Sequence, residues 1–244
     1  MIRLIVVTIY MVLAVLFVGI PYILFASITG NIDALYWMGV RVLRGALWLG
    51  GVQVRIEGTE NIPMGVCVFV ANHTSNSDPP AAVIAIPRRV ALLAKKEVFR
   101  IPVVATALRL ASIVPVDRAD RDAAVASVEK AVEHLKNGVS FLVYPEGTRS
   151  PDGRLLAFKK GTFVMAIEAG VPVVPMSIAG AHRIMGKKEL TIHPGVITVQ
   201  FHPAINASEY TLDTRNELLA RAHAAITSGL PPDQQPFPAT GAAS

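Results

Sequence analysis

One histidine and one aspartate stand close together in a short polar segment of an otherwise apolar region. The segment, Asn72-His73-Thr74-Ser75-Asn76-Ser77-Asp78, follows the apolar run Val66–Val70 and precedes two prolines. A histidine with an ordinary pKa of about 6.5 can remove a proton from a hydroxyl group near neutral pH. A carboxylate bonded to its other ring nitrogen fixes the tautomer and stabilises the imidazolium. His73 and Asp78 are therefore candidates for a general-base pair.

The same residues have a purely structural interpretation. Asp78 before Pro79 is typical of a helix N-cap, and His73 would then be a turn residue bonded to the backbone. Ser75 and Ser77 lie in the segment as possible nucleophiles, but turn hydroxyls usually bond nearby backbone groups. A histidine and an aspartate at this spacing do not decide between these alternatives.

A second polar segment carries a positive charge. It is Tyr144-Pro145-Glu146-Gly147-Thr148-Arg149-Ser150, and it also follows an apolar run. Arginine presents a planar fork to phosphate oxygens, and Gly147 gives the neighbouring backbone freedom to approach an anion. The alternative is a surface turn before Pro151-Asp152-Gly153, with Glu146 and Arg149 paired or solvated.

Short strands alternate with helices along the part of the chain that carries both segments. The apolar pattern predicts strands at Val52–Ile56, Val66–Val70, Val90–Ala94, Ile113–Val116, Ser140–Tyr144 and Val173–Ile178, and a hairpin over Leu190–Phe201. It predicts helices beginning at Asp78 and over Ile101–Leu110, Asp120–Lys136, Phe163–Ala169 and Leu212–Ile226. This alternation predicts an α/β fold with a largely parallel or mixed sheet flanked by helices, whose active residues gather beyond the strand ends.

The first residues are apolar enough to enter a membrane. No charged side chain occurs from Leu4 to Ile32, and a second apolar stretch, Ala34 to Leu49, follows a turn. About 20 apolar residues suffice to cross a bilayer, and a cleaved signal peptide usually has a shorter apolar region. We therefore expect membrane-associated helices over 1–50, a catalytic domain over 51–230 and a disordered tail over 231–244.

Charge and cysteine content exclude several classes of protein. The formal net charge is +5, and the segment 79–188 holds 17 Lys and Arg against 9 Asp and Glu. Beside an apolar anchor, this surplus favours an anionic bilayer or a phosphorylated substrate, and we expect no nucleic acid partner. The single cysteine, Cys67, lies in an apolar run and excludes a disulfide framework. There is no Gly-x-Ser-x-Gly or His-Glu-x-x-His motif, so neither a serine nucleophile elbow nor a metal-dependent hydrolase is expected.

Four segments, in order, resemble the sequence blocks of the glycerolipid acyltransferases. The likeness is greatest to the 1-acylglycerol-3-phosphate (lysophosphatidic acid) acyltransferases and covers most of the chain. The four blocks correspond to Asn72–Asp78, Ser112–Arg118, Tyr144–Ser150 and Val171–Pro175. Lys95 matches a lysine that the family usually carries between the first two blocks. The second block departs from the family, which often has a glycine where this chain has Ala111-Ser112.

The resemblance implies transfer of a fatty acyl group to the sn-2 hydroxyl of a lysophospholipid at the cytoplasmic face of the cell (inner) membrane. The donor would be acyl-CoA or acyl-carrier protein, and no cofactor or metal is implied. His73 and Asp78 would be catalytic. The implied substrate-binding residues are Lys95, Arg118, Glu146, Gly147, Thr148 and Arg149. Glu146 would orient Arg149 or bond an acceptor hydroxyl.

Other functions remain open on the sequence alone. The acceptor could be another lysolipid, such as lyso-ornithine lipid, or glycerol phosphate. A membrane protein that only binds phospholipid would share the basic surplus and the anchor, but would not need the His73–Asp78 pair.

Overall fold

A long apolar helix begins the computed structural model, which describes residues 1–116 and 121–237. Helices α1 (Ile2–Ala14) and α2 (Ile20–Thr29) are continuous through one π-turn at Val15–Gly19. Together they form a 28-residue helix with a mean hydropathy of 2.7, none of which is buried in its most apolar window. Its length and composition make it a candidate membrane segment.

A second helix, α3 (Ile32–Leu49), returns along the first. Gly30 ends α2 with a φ of 72°, and the Asn31 side chain caps α3 by accepting a hydrogen bond from the Ala34 N–H at 3.0 Å. The two helices pack closely at Gly45, because a Cβ atom there would lie 2.4 Å from the hydroxyl of Tyr10 and would displace that side chain. The two-helix arrangement agrees with the sequence pattern.

The described residues after α3 are built on one seven-stranded mixed sheet. Its spatial order is β1-β7-β6-β2-β5-β3-β4, and all neighbours are parallel except β6 and β7, which are antiparallel. The strands are β1 Val52–Glu57, β2 Val68–Ala71, β3 Val90–Lys95, β4 Val114–Val116, β5 Ser140–Val143, β6 Val173–Ala179 and β7 Gly195–Phe201. The predicted α/β fold is confirmed.

Helices cover both faces of this sheet. Beyond α3 they are α4 Asp78–Ala85, α5 Pro102–Leu110, α6 Arg121–Lys136, α7 Gly161–Ala169, α8 Ala181–Ile184 and α9 Arg215–Ser228. Strand β2 shows why two layers form, because Phe69 and Ala71 enter the core under α3 and α4, whereas Val68 and Val70 face α6, α7 and α9. Burial on both faces explains the continuous apolar run of β2.

Two expectations from the sequence are not met. The hairpin expected over Leu190–Phe201 is wrong, since only the strand β7 forms there and it pairs with β1 and β6. Its first residues instead pass under α8, where the His193 N–H donates to the Ile184 carbonyl at 2.9 Å.

The tail expected to be disordered is held against the domain in its described part, 231–237. Gln234 is buried, its side chain accepts from the Gly180 N–H, and its carbonyl accepts from the Leu155 N–H at 2.9 Å. Residues 238–244 lie outside the described part of the chain.

Candidate active site

The two polar segments meet at one edge of the sheet. Strands β2 and β5 are parallel neighbours, and they end at Ala71 and Val143. Parallel strands bring their carboxyl ends to the same edge, so the loops that follow lie side by side. The backbone shows this contact directly, because the Ser150 N–H donates to the His73 carbonyl at 2.8 Å.

His73 and Asp78 form a hydrogen-bonded pair. The distance from His73 Nδ1 to Asp78 Oδ2 is 2.9 Å, with Asp78 fully buried and the histidine side chain 13% exposed. The same carboxylate oxygen also accepts from the N–H groups of Thr74 at 2.6 Å and Ser75 at 2.7 Å. Three donors on one oxygen fix the carboxylate, which in turn orients the imidazole and leaves Nε2 to act as a base.

The structural alternative for Asp78 does not hold. Helix α4 begins at Asp78 after Ser77 without a side-chain cap, and the carboxylate turns back to the preceding loop. Ser75 is bonded to backbone, since its hydroxyl donates to the Met185 carbonyl at 2.7 Å and accepts from the Ser77 N–H. These serines build the turn that presents His73.

Glu146 holds the backbone of the turn that carries His73. Its Oε1 accepts from the His73 N–H at 2.7 Å, and the residue is only 3% exposed. Burial raises the pKa of Glu146 to about 8, against hydrogen bonds from the His73 and Leu156 backbone, while the charge of Asp78 raises it further. Among the described residues Glu146 forms no ion pair with Arg149, and its Oε1 contacts the His73 backbone instead.

An aromatic ring lies against the imidazole of His73. Tyr144 stacks on His73 with ring centroids 4.3 Å apart and an interplanar angle of 27°. Burial raises the pKa of the Tyr144 hydroxyl well above its ordinary value, and Asp78 acts in the same direction. The stack limits rotation of the imidazole. Tyr144 was not among the predicted site residues, although its place directly before Pro145-Glu146 was the available signal.

Positive side chains surround the loop after Glu146. Gly147 has a φ of 71°, which favours glycine, and the Arg149 guanidinium has no hydrogen-bond or ion-pair partner among the described residues. Lys159 Nζ lies 2.9 Å from the place that a Cβ of Gly147 would take. Lys187 Nζ donates to the Arg149 carbonyl at 2.7 Å and to Thr148 Oγ1 at 3.3 Å. Neither lysine was among the predicted site residues, because both lie outside the two polar segments.

The other predicted binding residues belong to strands β3 and β4. Lys95 is the last residue of β3, at the same carboxyl edge of the sheet, in register with Val116. Arg118 lies outside the described residues. Ser112, in the Ala111-Ser112 pair at which the sequence departs from the family it resembles, has a φ of 60°, a conformation that a side chain disfavours. The departure from the family therefore falls on a strained turn.

The sequence that forms this arrangement matches the model of a known protein family. Residues 53–179, which include both polar segments and strands β2 to β6, match the model of the acyltransferase family. The chain belongs to this family. The match spans about half of the sequence and contains the whole His73–Asp78 site.

Relatives and a solved structure agree with the family. The acyltransferase is 33% identical over 195 residues to a 1-acyl-sn-glycerol-3-phosphate acyltransferase of Limnanthes douglasii, covering 80% of this chain and 69% of the relative. It is 32% identical over 161 residues to that of Salmonella typhimurium, covering 66% and 65%. The crystal structure of the 1-acyl-sn-glycerophosphate acyltransferase of Thermotoga maritima matches with a TM-score of 0.81 at 32% identity, over 93% of this chain and 95% of that one.

An apolar cavity of about 440 Å³ adjoins the active site of the acyltransferase. It is lined by α1, α2 and α3 on one side and by α4, α5 and β3 on the other. Pro79 and Pro80, directly after Asp78, form part of its wall. Its lining is aliphatic apart from Tyr22 and Tyr36, so it suits a hydrocarbon chain better than a polar ligand.

Proposed function

We propose that this acyltransferase moves a fatty acyl group from an acyl thioester to the sn-2 hydroxyl of lysophosphatidic acid, which gives phosphatidic acid. The donor is acyl-CoA or acyl-carrier protein. The observation that carries the proposal is the 2.9 Å pair of His73 Nδ1 and Asp78 Oδ2 beside the loop of Arg149. The names of the relatives favour this acceptor over lyso-ornithine lipid and other lysolipids.

His73 acts as a general base in this scheme. Its Nε2 takes the proton of the sn-2 hydroxyl as the oxygen attacks the thioester carbonyl, and Asp78 stabilises the imidazolium. The imidazolium then gives the proton to the departing thiolate, so the products are phosphatidic acid and a free thiol. Direct transfer agrees with the backbone-bonded Ser75 and with the buried thiol of Cys67, whose pKa burial raises to about 11.

The positively charged loop receives the phosphate of the acceptor. Arg149 offers a bidentate fork, and a phosphate monoester carries between one and two negative charges at neutral pH. The predicted roles of Lys95 and Arg118 as further phosphate ligands stay proposals of the same kind. Glu146 supports the turn by accepting the hydrogen bond of the His73 N–H.

The cavity beside Asp78 accommodates a fatty acyl chain. It lies between the candidate membrane helix α1–α2 and helices α4 and α5 of the catalytic domain, where a lipid chain from the hydrocarbon phase could reach it. We propose that the enzyme works at the cytoplasmic face of the inner membrane, where activated acyl donors are made.

The decisive test is transfer by purified enzyme in mixed micelles with lysophosphatidic acid and each donor. We expect stoichiometric thiol release and phosphatidic acid formation, and loss of both in His73→Ala with an unchanged melting temperature. Thiol release without acylated lipid would indicate a thioesterase. Activity in His73→Ala within a few-fold of wild type would exclude the proposed base.

The acceptor assignment has its own test at Arg149. Charge-assisted hydrogen bonds contribute about 1.5–3 kcal/mol each, so Arg149→Ala should weaken use of lysophosphatidic acid by roughly ten- to a hundredfold. Arg149→Lys should restore it only in part, because an ammonium lacks the fork. A lysolipid without a phosphate monoester is the comparison substrate. Equal losses on both acceptors would remove the assignment of Arg149 to the phosphate.

A further inference from the structure

The segment that follows β6 contacts both halves of the active site. After Gly180, whose φ is 87°, the chain forms α8 and a turn at residues 185–189 that lies beside the two loops. A Cβ at Gly180 would meet the Val196 carbonyl oxygen at 2.5 Å, so this change of direction requires glycine. The turn is closed by the Gly186 N–H, which donates to Glu189 Oε2 at 3.1 Å.

One contact of this segment reaches the turn that carries His73, residues 72–78, and another reaches the loop that carries Arg149, residues 144–150, here called the anion loop. The Met185 carbonyl accepts the hydroxyl of Ser75 at 2.7 Å. Two residues later, Lys187 Nζ donates to the carbonyl of Arg149 at 2.7 Å and to Thr148 Oγ1 at 3.3 Å. The part-buried lysine therefore fixes the main chain from which the guanidinium projects.

The charges near Lys187 indicate that an anion belongs between them. Arg149, Lys159 and Lys187 approach one short loop, and none of the three has an ion-pair partner among the described residues. Like charges on one loop repel each other unless a negative group lies close by. An acceptor phosphate supplies that group, whereas the hydrogen bonds of Lys187 to the Arg149 carbonyl and the Thr148 hydroxyl keep its ammonium in place before the substrate arrives.

We propose that Lys187 is a positioning residue, which sets the Thr148–Arg149 backbone so that Arg149 can hold the acceptor phosphate. The assignment rests on the proposed function. Lys187 acts through Arg149, because two of its three N–H donors are engaged by the loop. The loop stays tied to His73 through the Ser150 N–H, so loss of Lys187 affects the acceptor more than the base.

The test compares Lys187→Met and Lys187→Arg with the control Lys188→Met. Lys188 is exposed, lies next in the chain, and its side chain makes no hydrogen bond or ion pair with the loop among the described residues. We expect Lys187→Met to raise the KM for lysophosphatidic acid about tenfold, the loss of one charge-assisted hydrogen bond, with kcat and the donor KM nearly unchanged. Lys187→Arg should recover most of the affinity, and Lys188→Met should match wild type.

A double-mutant cycle separates positioning from direct phosphate contact. In the Arg149→Ala background, Lys187→Met should raise the KM by less than about twofold, because its effect passes through Arg149. Full additivity would overturn the positioning role, as would an unchanged KM in Lys187→Met or an equal rise in the donor KM.

A measurement without substrate distinguishes this proposal from the proposed function. Amide hydrogen exchange of the peptide spanning 144–152 should be faster in Lys187→Met than in wild type and in Lys188→Met. If wild type fails to acylate lysophosphatidic acid but the exchange difference is present, the acceptor is wrong and the positioning of the loop is supported. Identical exchange in all three proteins would refute the role of Lys187.

Discussion

Substitution of Asp78 by asparagine tests how the carboxylate assists His73. One oxygen, Oδ2, accepts from His73 Nδ1 and from the N–H groups of Thr74 and Ser75, whereas Oδ1 is buried with no hydrogen-bond partner in the described residues. An asparagine can place its carbonyl oxygen at Oδ2 and its amide nitrogen at the Oδ1 position. The opposite orientation would point the amide N–H groups at two backbone N–H groups, so it is disfavoured.

Asp78→Asn should therefore keep the tautomer of His73 and lose only the negative charge. Two unit charges about 4 Å apart interact by roughly 4 kcal/mol at an effective dielectric constant of about 20, and the amide dipole retains part of this. A loss of about 2 to 4 kcal/mol in the transition state slows kcat by roughly thirty- to a thousandfold. In serine-protease triads, an asparagine that reverses the tautomer lowers kcat by about 10⁴.

The assay is kcat at saturating donor and acceptor for wild type, Asp78→Asn and His73→Ala, with melting temperatures as the control for folding. We expect Asp78→Asn to lie clearly above His73→Ala. If Asp78→Asn falls to the level of His73→Ala while remaining folded, the convergence of three donors on one oxygen does not preserve the tautomer.

Three further perturbations follow from the structure. Glu146→Gln should keep the acceptor for the His73 N–H, and it removes a carboxyl whose pKa burial raises to about 8. The folded protein binds this proton more tightly than the unfolded chain does, so the free energy of unfolding of wild type should fall relative to that of Glu146→Gln as the pH rises from about 4.5 to 8. Urea unfolding at a series of pH values measures this difference. Parallel pH dependences in the two proteins would contradict the buried protonated carboxyl. Deletion of α1 and α2, residues 2–29, should reduce activity on bilayer-embedded acceptor more than on a dispersed short-chain acceptor. The domain should still fold, because α3, which supplies Val40 and Leu47 to the core, is retained. Equal losses of activity on both acceptors would indicate a folding role for the deleted helices. Gly39→Leu should shift the preferred acyl chain to shorter lengths in competition assays, because Gly39 lines the cavity and a leucine side chain would fill part of it. A Cβ at Gly39 meets no atom within 4 Å, so the substitution can be accommodated, and Gly39→Ala serves as the milder control.

The sequence predicted the His73–Asp78 pair because that information is local. His73 and Asp78 are five residues apart on one turn, so their contact depends on a short segment and on a helix start that the prolines mark. The alternation of strands and helices likewise predicted the α/β fold, since apolar periodicity reflects which face of each element is buried. The apolar run at the start predicted the first helix from composition alone.

Tertiary structure decided which distant residues complete the site. Glu146 and Tyr144 contact His73 only because β2 and β5 are parallel neighbours, and Lys187 reaches Arg149 only because the chain turns after β6. The same dependence explains the wrong hairpin, because the residues before β7 bond to α8 and not to a strand of their own. Apolar periodicity shows which face of a helix or strand is buried, but not which other element packs against that face. Strand order and the paths between strands therefore fixed the residues that support the base and the anion loop.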